Sequence, residues 1–328
     1  MGKFLKEEKP KQIAFKLNSP YISERARADG MYKKHSYPFC LPQEYAQENL
    51  FLEVRQSAQD YFTQFSIRWH DGRNGAPSNH LCDSQVCCAN FLFPFADKPR
   101  PLAKLLSVLY PNLKKMLPIE NEQYVAIEWI GQENYLGERM SKNQKRTRGA
   151  NFTSMDAAVM FENADGSKQI VLIEWKYTET YYSTNLKIAK SGTDRSLIYA
   201  HLYDNDDDLL DKEKLTSFDD LFYEPFYQFM RQQYLANEME KARELGADIV
   251  SLLHIAPAHN KDFKRITSPK LKSIDKSATE VWSKIVKKPN RFISVSTENL
   301  FGKFDISGYP ELKEWHNYIM ARYTWLVK

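Results

Sequence analysis

The sequence predicts an α/β fold in which a central mixed β-sheet is flanked by helices. The first third of the chain carries apolar residues at helical spacing. Three β-prone runs follow, at residues 124–130, 152–161 and 169–177. A helical pattern over about 224–245 then precedes an apolar run at 248–255, which is typical of a buried strand. This order of helices, three strands, a long helix and a strand is the basis of the prediction.

The N-terminal region divides into an arm and a helical part. Residues 1–42 contain Pro10, Pro20 and Pro38 and show little periodicity, so we expect an irregular N-terminal arm. After Gln43, an amphipathic helix is predicted by apolar residues three or four positions apart: Leu50, Val54, Ala58, Tyr61 and Phe65.

More helices are predicted on both sides of the β-prone centre. Asp83 or Ser84 can cap a helix that runs through Phe91. A proline-rich stretch follows, and a third helix is predicted over about 102–117. A last strand at 291–296 precedes a final helix, which is predicted from its apolar stripe of Leu312, Trp315, Ile319, Tyr323 and Leu326.

The second and third β-prone runs can form a hairpin, and the loop length decides which side chains share a face. In a two-residue loop at 165–166, Asp156 points to the opposite face from Glu174 and Lys176. A three-residue loop at 164–166 with a glycine bulge places Asp156 opposite Glu174, with Lys176 diagonally on the same side. The sequence permits both arrangements.

The second arrangement has chemical consequences. Two directly opposed carboxylates repel each other unless a cation lies between them. Hard oxygen ligands at this spacing suit Mg²⁺ or Mn²⁺. Glu174 and Lys176 also interrupt an otherwise apolar strand, and charges are rarely buried there. The alternative is an exposed edge strand that carries an ordinary ion pair.

These residues carry a resemblance to a known family. The strings SMD at 154–156 and IEWKY at 173–177 resemble the D…(D/E)-x-K core of the PD-(D/E)XK, or restriction-endonuclease-like, nucleases. In that family a core of helix, three antiparallel strands, helix and strand is expected. The motif's proline before the Asp is Met155 here, at a position that is loose in the family.

Further pieces resemble one bacterial branch of the restriction-endonuclease-like proteins, over about residues 58–257. They occur in the same order along this chain: Trp69-His70, the string HLCDSQ at 80–85, Asn90, Gly149, Tyr227-Gln228 and Arg231-Gln232. The resemblance therefore implies a restriction-endonuclease-like core with the central mixed sheet.

The resemblance also implies catalytic roles. Asp156 and Glu174 are expected to bind Mg²⁺ or Mn²⁺, and Lys176 to position the attacking water and offset negative charge in the transition state. Many members carry an extra upstream acid near the metal, for which Glu128 is the candidate; Glu133 and Glu138 are weaker choices. The alternative for Glu128 is a surface acid at a strand end.

Nucleic-acid contacts are expected from two sources. Gln228 and Gln232 lie one helical turn apart and can face the active site, although ordinary helix polarity also accounts for them. The basic stretches at 139–148 and 261–291 can hold phosphates, with Arg146 and Arg148 as candidate contacts. An acidic run at 204–220 lies between the two stretches. Solvated loops are the alternative, since the net charge of +4 is small.

We divide the chain into three parts on this basis. They are an N-terminal arm at 1–42, a PD-(D/E)XK nuclease-like domain at 43–260, and a C-terminal extension packed on the core at 261–328. The expected function is metal-dependent hydrolysis of DNA, in a setting such as defence or DNA processing. The alternatives are a nuclease-fold protein that binds nucleic acid without cutting it, and an interaction protein.

Location and assembly are expected from weaker signals. The charged N-terminus lacks the apolar segment of a secretory signal, so a cytoplasmic protein is expected, without a membrane span. Enzymes of the restriction type often dimerise to cut both strands, so a homodimer is an expected state. A zinc cluster of His80, Cys82, Cys87 and Cys88 is one interpretation of this region. Buried free thiols are the favoured interpretation, because a free cysteine usually behaves as a small buried apolar side chain.

Overall fold

The computed structural model describes residues 2–138, 146–150, 152–205 and 209–327. Its helices are α1 (Lys3–Asn18), α2 (Arg55–Gln64), α3 (Ser84–Leu92), α4 (Pro99–Leu106), α5 (Ser196–Asn205), α6 (Phe226–Lys241), α7 (Ala278–Ile285), α8 (Thr297–Leu300) and α9 (Lys313–Arg322). Its strands are β1 (Gly30–Tyr32), β2 (His35–Tyr37), β3 (Leu113–Leu117), β4 (Ala126–Trp129), β5 (Met155–Asn163), β6 (Lys168–Trp175), β7 (Ile249–Ala256) and β8 (Phe292–Ser296).

A mixed sheet forms the centre of the molecule. Within the described residues it has six strands in the order β3-β5-β6-β7-β8, and β4 pairs with β5 beside β3. The pairings of β3, β4 and β6 with β5 are antiparallel, whereas β6–β7 and β7–β8 are parallel. The predicted α/β fold with a central mixed sheet and flanking helices is thereby confirmed, and it is consistent with a restriction-endonuclease-like core.

The two faces of the sheet are covered by different helices. One face packs against α1, α3 and α9, with Phe91, Trp175 and Trp315 among its buried aromatic residues. The other face packs against α6 and α7, with Phe229 and Trp282 in its core. Because side chains alternate along a strand, even-numbered residues of β5 and β6 such as Ala158 and Leu172 face α6. Asp156 and Glu174, near the adjoining ends of these two strands, are even-numbered as well and therefore also face α6.

Two predictions of local structure were wrong. The predicted irregular arm contains helix α1 and the β1–β2 hairpin. The helix predicted over about 102–117 ends at Leu106, and residues Leu113–Leu117 form β3. Pro111 lies between them, and proline inside a helix removes a backbone hydrogen bond and clashes with the preceding turn.

The C-terminal segment belongs to the core. Strand β8, which lies in the segment predicted to be an extension packed on the core, is an edge of the central sheet. Arg322 on α9 is 1% exposed and donates hydrogen bonds to Asn49 O at 2.6 Å, Leu81 O at 3.0 Å and Gln12 Oε1 at 3.1 Å. One guanidinium thus joins α9 to α1 and to the segments before α2 and α3.

Two further findings concern location and the cysteines. Among the described residues, no helix combines the length and apolar character needed to cross a membrane. The cysteines Cys40, Cys82, Cys87 and Cys88 are free and buried, as expected for small buried side chains.

Candidate active site

The β5–β6 hairpin brings Asp156 and Glu174 together. Its register runs from Glu162↔Lys168 to Ala157↔Ile173, so the next pair is Asp156 and Glu174. The loop has three residues, 164–166; Asn163 donates to Ser167 O at 2.8 Å, and Gly166 has φ +86°. Only the longer of the two loops considered from sequence gives this register. Asp156, Glu174 and Lys176 therefore share the face that packs against α6.

Glu174 is the centre of a buried polar cluster. Glu174 is 3% exposed, and its side chain forms an ion pair with Lys176. Gln228 Nε2 donates to Glu174 Oε1 at 2.8 Å, and Gln232 Nε2 donates to Oε2. The two glutamines are one turn apart on α6, so both face the sheet. Helix α6 thereby fixes both carboxylate oxygens of Glu174.

Asp156 is buried with less compensation. Its Oδ2 accepts a hydrogen bond from the backbone N–H of Trp175 at 2.7 Å. Burial and the nearby charge of Glu174 raise the pKa of Asp156 well above its ordinary value. Burial alone would lower the pKa of Lys176, but the charges around it, chiefly that of Glu174, outweigh burial and raise its pKa. The cluster thus combines one ammonium group with two buried carboxylates whose charges repel each other.

Glu128 approaches the same cluster from β4. The register of β4 on β5 places its backbone across from Asp156, and its φ is +51°, unusual for a residue with a side chain. Gln85 Nε2 donates to Glu128 Oε1 at 2.7 Å, and burial raises the pKa of Glu128. A pocket of about 240 Å³ is lined by Glu128 together with Gln228 and Gln232. The predicted upstream acid therefore borders the site.

Gln85 is a site residue that sequence reasoning did not assign. Its Oε1 accepts the backbone N–H of His70 at 2.7 Å while its Nε2 holds Glu128. The string containing Gln85 had been noted only for its resemblance. The available signal was that Gln85 and Asn90 are polar side chains in a mostly apolar helix α3.

Arg148 is not available as a nucleic-acid contact, which corrects the prediction. It is 8% exposed, pairs with Glu120 at 2.8 Å, and donates to Glu128 O at 3.1 Å and Ile127 O at 2.6 Å. All three nitrogens of its guanidinium are engaged, so Arg148 supports the backbone of β4 next to Glu128.

The remaining basic residues of that stretch divide into two groups. Arg146 donates to the carbonyls of Gln132 and Ile130, each at 2.6 Å, and its guanidinium lies 5.7 Å from the Phe152 ring. Arg146 is partly buried, and its N–H groups stabilise the loop after β4. Residues 139–145 of the predicted basic stretch lie outside the described residues.

Metal ligands were sought within the described part of the chain. There, no three His, Cys, Asp or Glu side chains converge in an arrangement that could hold a metal ion. Glu174 points its oxygens at Lys176 and the two glutamines of α6, and Asp156 is tied to the Trp175 amide. The carboxylates of Asp156, Glu174 and Glu128 are nevertheless close enough for their charges to interact, and carboxylate oxygens are ligands that suit Mg²⁺.

Comparison with known proteins identifies the family. A family model described as "Restriction Endonuclease associating with ARP" matches residues 16–324. No curated protein and no solved structure gave a significant match. The matched range includes the hairpin, the cluster around Glu174 and the C-terminal helix α9. The chain therefore belongs to the family of restriction endonucleases associating with ARP.

Proposed function

We propose that this chain is a metal-dependent nuclease that hydrolyses DNA phosphodiester bonds, with Asp156, Glu174 and Lys176 at its centre. The observation that carries the proposal is their shared face: two carboxylates opposed in the β5–β6 ladder, with an ammonium paired to one of them. The membership of this chain in a family of restriction endonucleases supports a nuclease-like function. The hydrolytic reaction, its metal ion and its DNA substrate go beyond the family match and form the proposal.

Asp156 and Glu174 fit Mg²⁺ or Mn²⁺. Mg²⁺ is usually held by one or two carboxylates, with waters and substrate phosphates completing its shell, so three converging protein ligands are not required. The raised pKa of Asp156 reflects its burial first and the charge of Glu174 second, and the charge of Lys176 offsets only part of the two. We propose Asp156 and Glu174 as ligands, with Glu128 as a third. When bound, the ion supplies Lewis-acid chemistry, polarising the phosphate and making nearby water a stronger acid.

Lys176 acts where negative charge develops. Its ammonium is held in a buried position by Glu174, and its raised pKa keeps it protonated. A fixed positive charge at a water-poor site stabilises the transition state of phosphodiester cleavage more than it stabilises the substrate. Lys176 also places a hydrogen-bond donor where an attacking water can be oriented.

A further set of residues positions the carboxylates of Asp156 and Glu174. Gln228 and Gln232 hold the carboxylate of Glu174, and the Trp175 amide holds that of Asp156. Side chains locked in this way lose little further freedom when substrate binds, which is how preorganised sites gain rate. Gln228 and Gln232 are therefore proposed as positioning residues, with amide N–H groups close enough to the pocket to contact a phosphate.

We propose DNA as the partner and 261–291 as a backbone contact. The lysines and arginines of this stretch at exposed positions are Lys261, Arg265, Lys270, Lys272, Lys276, Lys284, Lys287 and Lys288. Contacts of this type give affinity without reading sequence and weaken as salt rises. We also propose a cytoplasmic setting. A homodimer is proposed as well, because enzymes that cut both strands often dimerise.

Replacing Lys176 with alanine tests the catalytic proposal. Plasmid, linear duplex and single-stranded DNA are incubated with Mg²⁺ or Mn²⁺, and cleavage is followed on gels. We expect Lys176→Ala to cleave about 100- to 1,000-fold more slowly, the usual effect of losing one transition-state contact.

Lys168→Ala is the matched control, because Lys168 is an exposed lysine at the start of β6, the strand that Lys176 directly follows. It should cleave at the wild-type rate. Equal rates for Lys176→Ala and wild type would contradict the assignment. Wild-type protein that binds DNA without cutting it would favour the non-catalytic alternative.

A further inference from the structure

A second, larger cavity opens beside the proposed active site. Its volume is about 1070 Å³, and it is bounded by the segment 186–199 and by the start of α6. Phe152 and Arg231 line both this cavity and the smaller pocket that contains Glu128. The two spaces therefore meet at these side chains. Its volume is at the upper end of that of known ligand pockets, about 300–1,000 Å³.

Arg231 lies at the junction with unused hydrogen-bonding capacity. Its Nε is buried and has no hydrogen-bond partner among the described residues. Its Nη1 makes one long contact, to Thr153 Oγ1 at 3.3 Å. Buried donors normally find acceptors, and a guanidinium matches the paired oxygens of a phosphate. Arg231 can therefore donate hydrogen bonds to an anionic group that lies between the two pockets.

The cavity wall is made of flat groups. The guanidiniums of Arg231 and Arg195 lie over the Tyr227 ring, 4.6 and 5.6 Å from its centroid. Tyr199 meets Tyr227 edge to face, with ring centroids 6.1 Å apart. Leu197 at the mouth is 75% exposed. Unpaired nucleic-acid bases stack on aromatic rings and on arginine planes of this kind.

Acidic groups in the cavity argue against a simple anion as its ligand. Glu138 is engaged, because it accepts hydrogen bonds from Thr153 and Tyr199. Glu224 also lines the cavity and accepts the backbone N–H of Gln228 at 3.3 Å. Free carboxylate lone pairs suit the amino and ring N–H groups of a base. A ligand with one phosphate and one flat, donor-bearing ring matches both the arginine and the carboxylates that line the cavity.

We propose that this cavity receives the base of one unpaired DNA nucleotide, and that Arg231 binds the phosphate of that nucleotide. The neighbouring phosphodiester then lies at Asp156 and Glu174. The proposal rests on the nuclease function proposed above and extends it to a preference for an unpaired nucleotide. That nucleotide comes either from a base extruded from a duplex or from a single strand.

Photocrosslinking tests the cavity without knowledge of a cleavage site. DNA in which every thymine is replaced by 5-iodouracil, as duplex or as single strand, is bound in Ca²⁺ and irradiated, and crosslinked residues are mapped by mass spectrometry. We expect crosslinks to Phe152, Tyr199 or Tyr227. Thr193→Trp, which fills the cavity from its rim, should reduce them about ten-fold, the effect of losing one base stack. Thr184→Trp is the matched control, since Thr184 is exposed just before this segment and does not line the cavity.

The outcomes separate this proposal from the nuclease proposal. Crosslinks with duplex DNA support an extruded base, and crosslinks with single strands alone support an unpaired strand. If wild type binds and cleaves DNA but these residues do not crosslink, or if Thr193→Trp crosslinks as well as Thr184→Trp, the cavity proposal is wrong and the nuclease proposal stands. If the protein neither binds nor cleaves DNA, both the cavity proposal and the nuclease proposal are wrong.

Discussion

Replacing Asp156 with asparagine is expected to lower the rate of DNA cleavage by about a thousand-fold or more. The amide keeps the size of the side chain and can still accept the Trp175 N–H, but it loses the negative charge that a divalent ion requires. Lewis-acid stabilisation contributes several kcal/mol to such reactions, and each 1.4 kcal/mol is about a factor of ten in rate. Cleavage of labelled DNA in Mg²⁺ measures the effect.

The same variant should fold normally. The substitution removes a buried carboxylate whose pKa is raised by burial, so the melting temperature without metal should not fall. Asp165→Asn is the matched control, because Asp165 is an exposed residue in the loop of the same hairpin. It should cleave like wild type. A fully active Asp156→Asn protein would refute the assigned role of this carboxylate.

Replacing Arg322 with methionine is expected to destabilise the protein by about 3–5 kcal/mol, because several buried acceptors lose their donor at about 1–3 kcal/mol each. Methionine fills most of the volume but leaves Asn49 Oδ1, Leu81 O and Gln12 Oε1 without their donor. Urea denaturation followed by tryptophan fluorescence gives the free energy of unfolding.

Lys313→Met provides the comparison, since Lys313 is exposed on the same helix. Its effect should stay within about 0.5 kcal/mol, as for most surface substitutions. Equal stabilities for the two variants would show that α9 is a dispensable addition. The expected difference means that α9 holds together α1 and the segments that lead into α2 and α3.

The hairpin was the most predictable part of the site. A glycine able to adopt positive φ, placed three residues after Asn163, limits the loop to few geometries. The register then follows from the loop length, and it places Asp156 opposite Glu174. What the sequence left open was the choice between two loops, because both use Gly166 and differ by one residue.

Elements that depend on tertiary contacts were less predictable. Helix α1 contains Pro10, which made an irregular arm the natural expectation. The helix forms because Phe4, Glu8, Gln12 and Phe15 are buried against the rest of the protein, and that burial outweighs the local penalty of proline. At 102–117 the error was of another kind, since Pro111 was present as a local signal that the helix ends.

The surroundings of the carboxylates could not be read from spacing. Arg148 looked like a DNA contact because it belongs to a basic stretch, yet the Glu120 carboxylate and two carbonyls hold it inside. Gln85 lies far from Glu128 in sequence and meets it only in the fold. The cavity beside Arg231 depends on the path of 186–199, for which the sequence gives no periodic pattern.

The central claim is that the opposed carboxylates of β5 and β6 hold a divalent cation for catalysis. Calorimetric titration of Mn²⁺ into wild type, Glu174→Gln and the control Glu162→Gln tests it most directly, since Glu162 lies on β5 outside the cluster. The account predicts equal Mn²⁺ binding by wild type and Glu162→Gln, and loss of that binding in Glu174→Gln. Unchanged Mn²⁺ affinity in Glu174→Gln would contradict it.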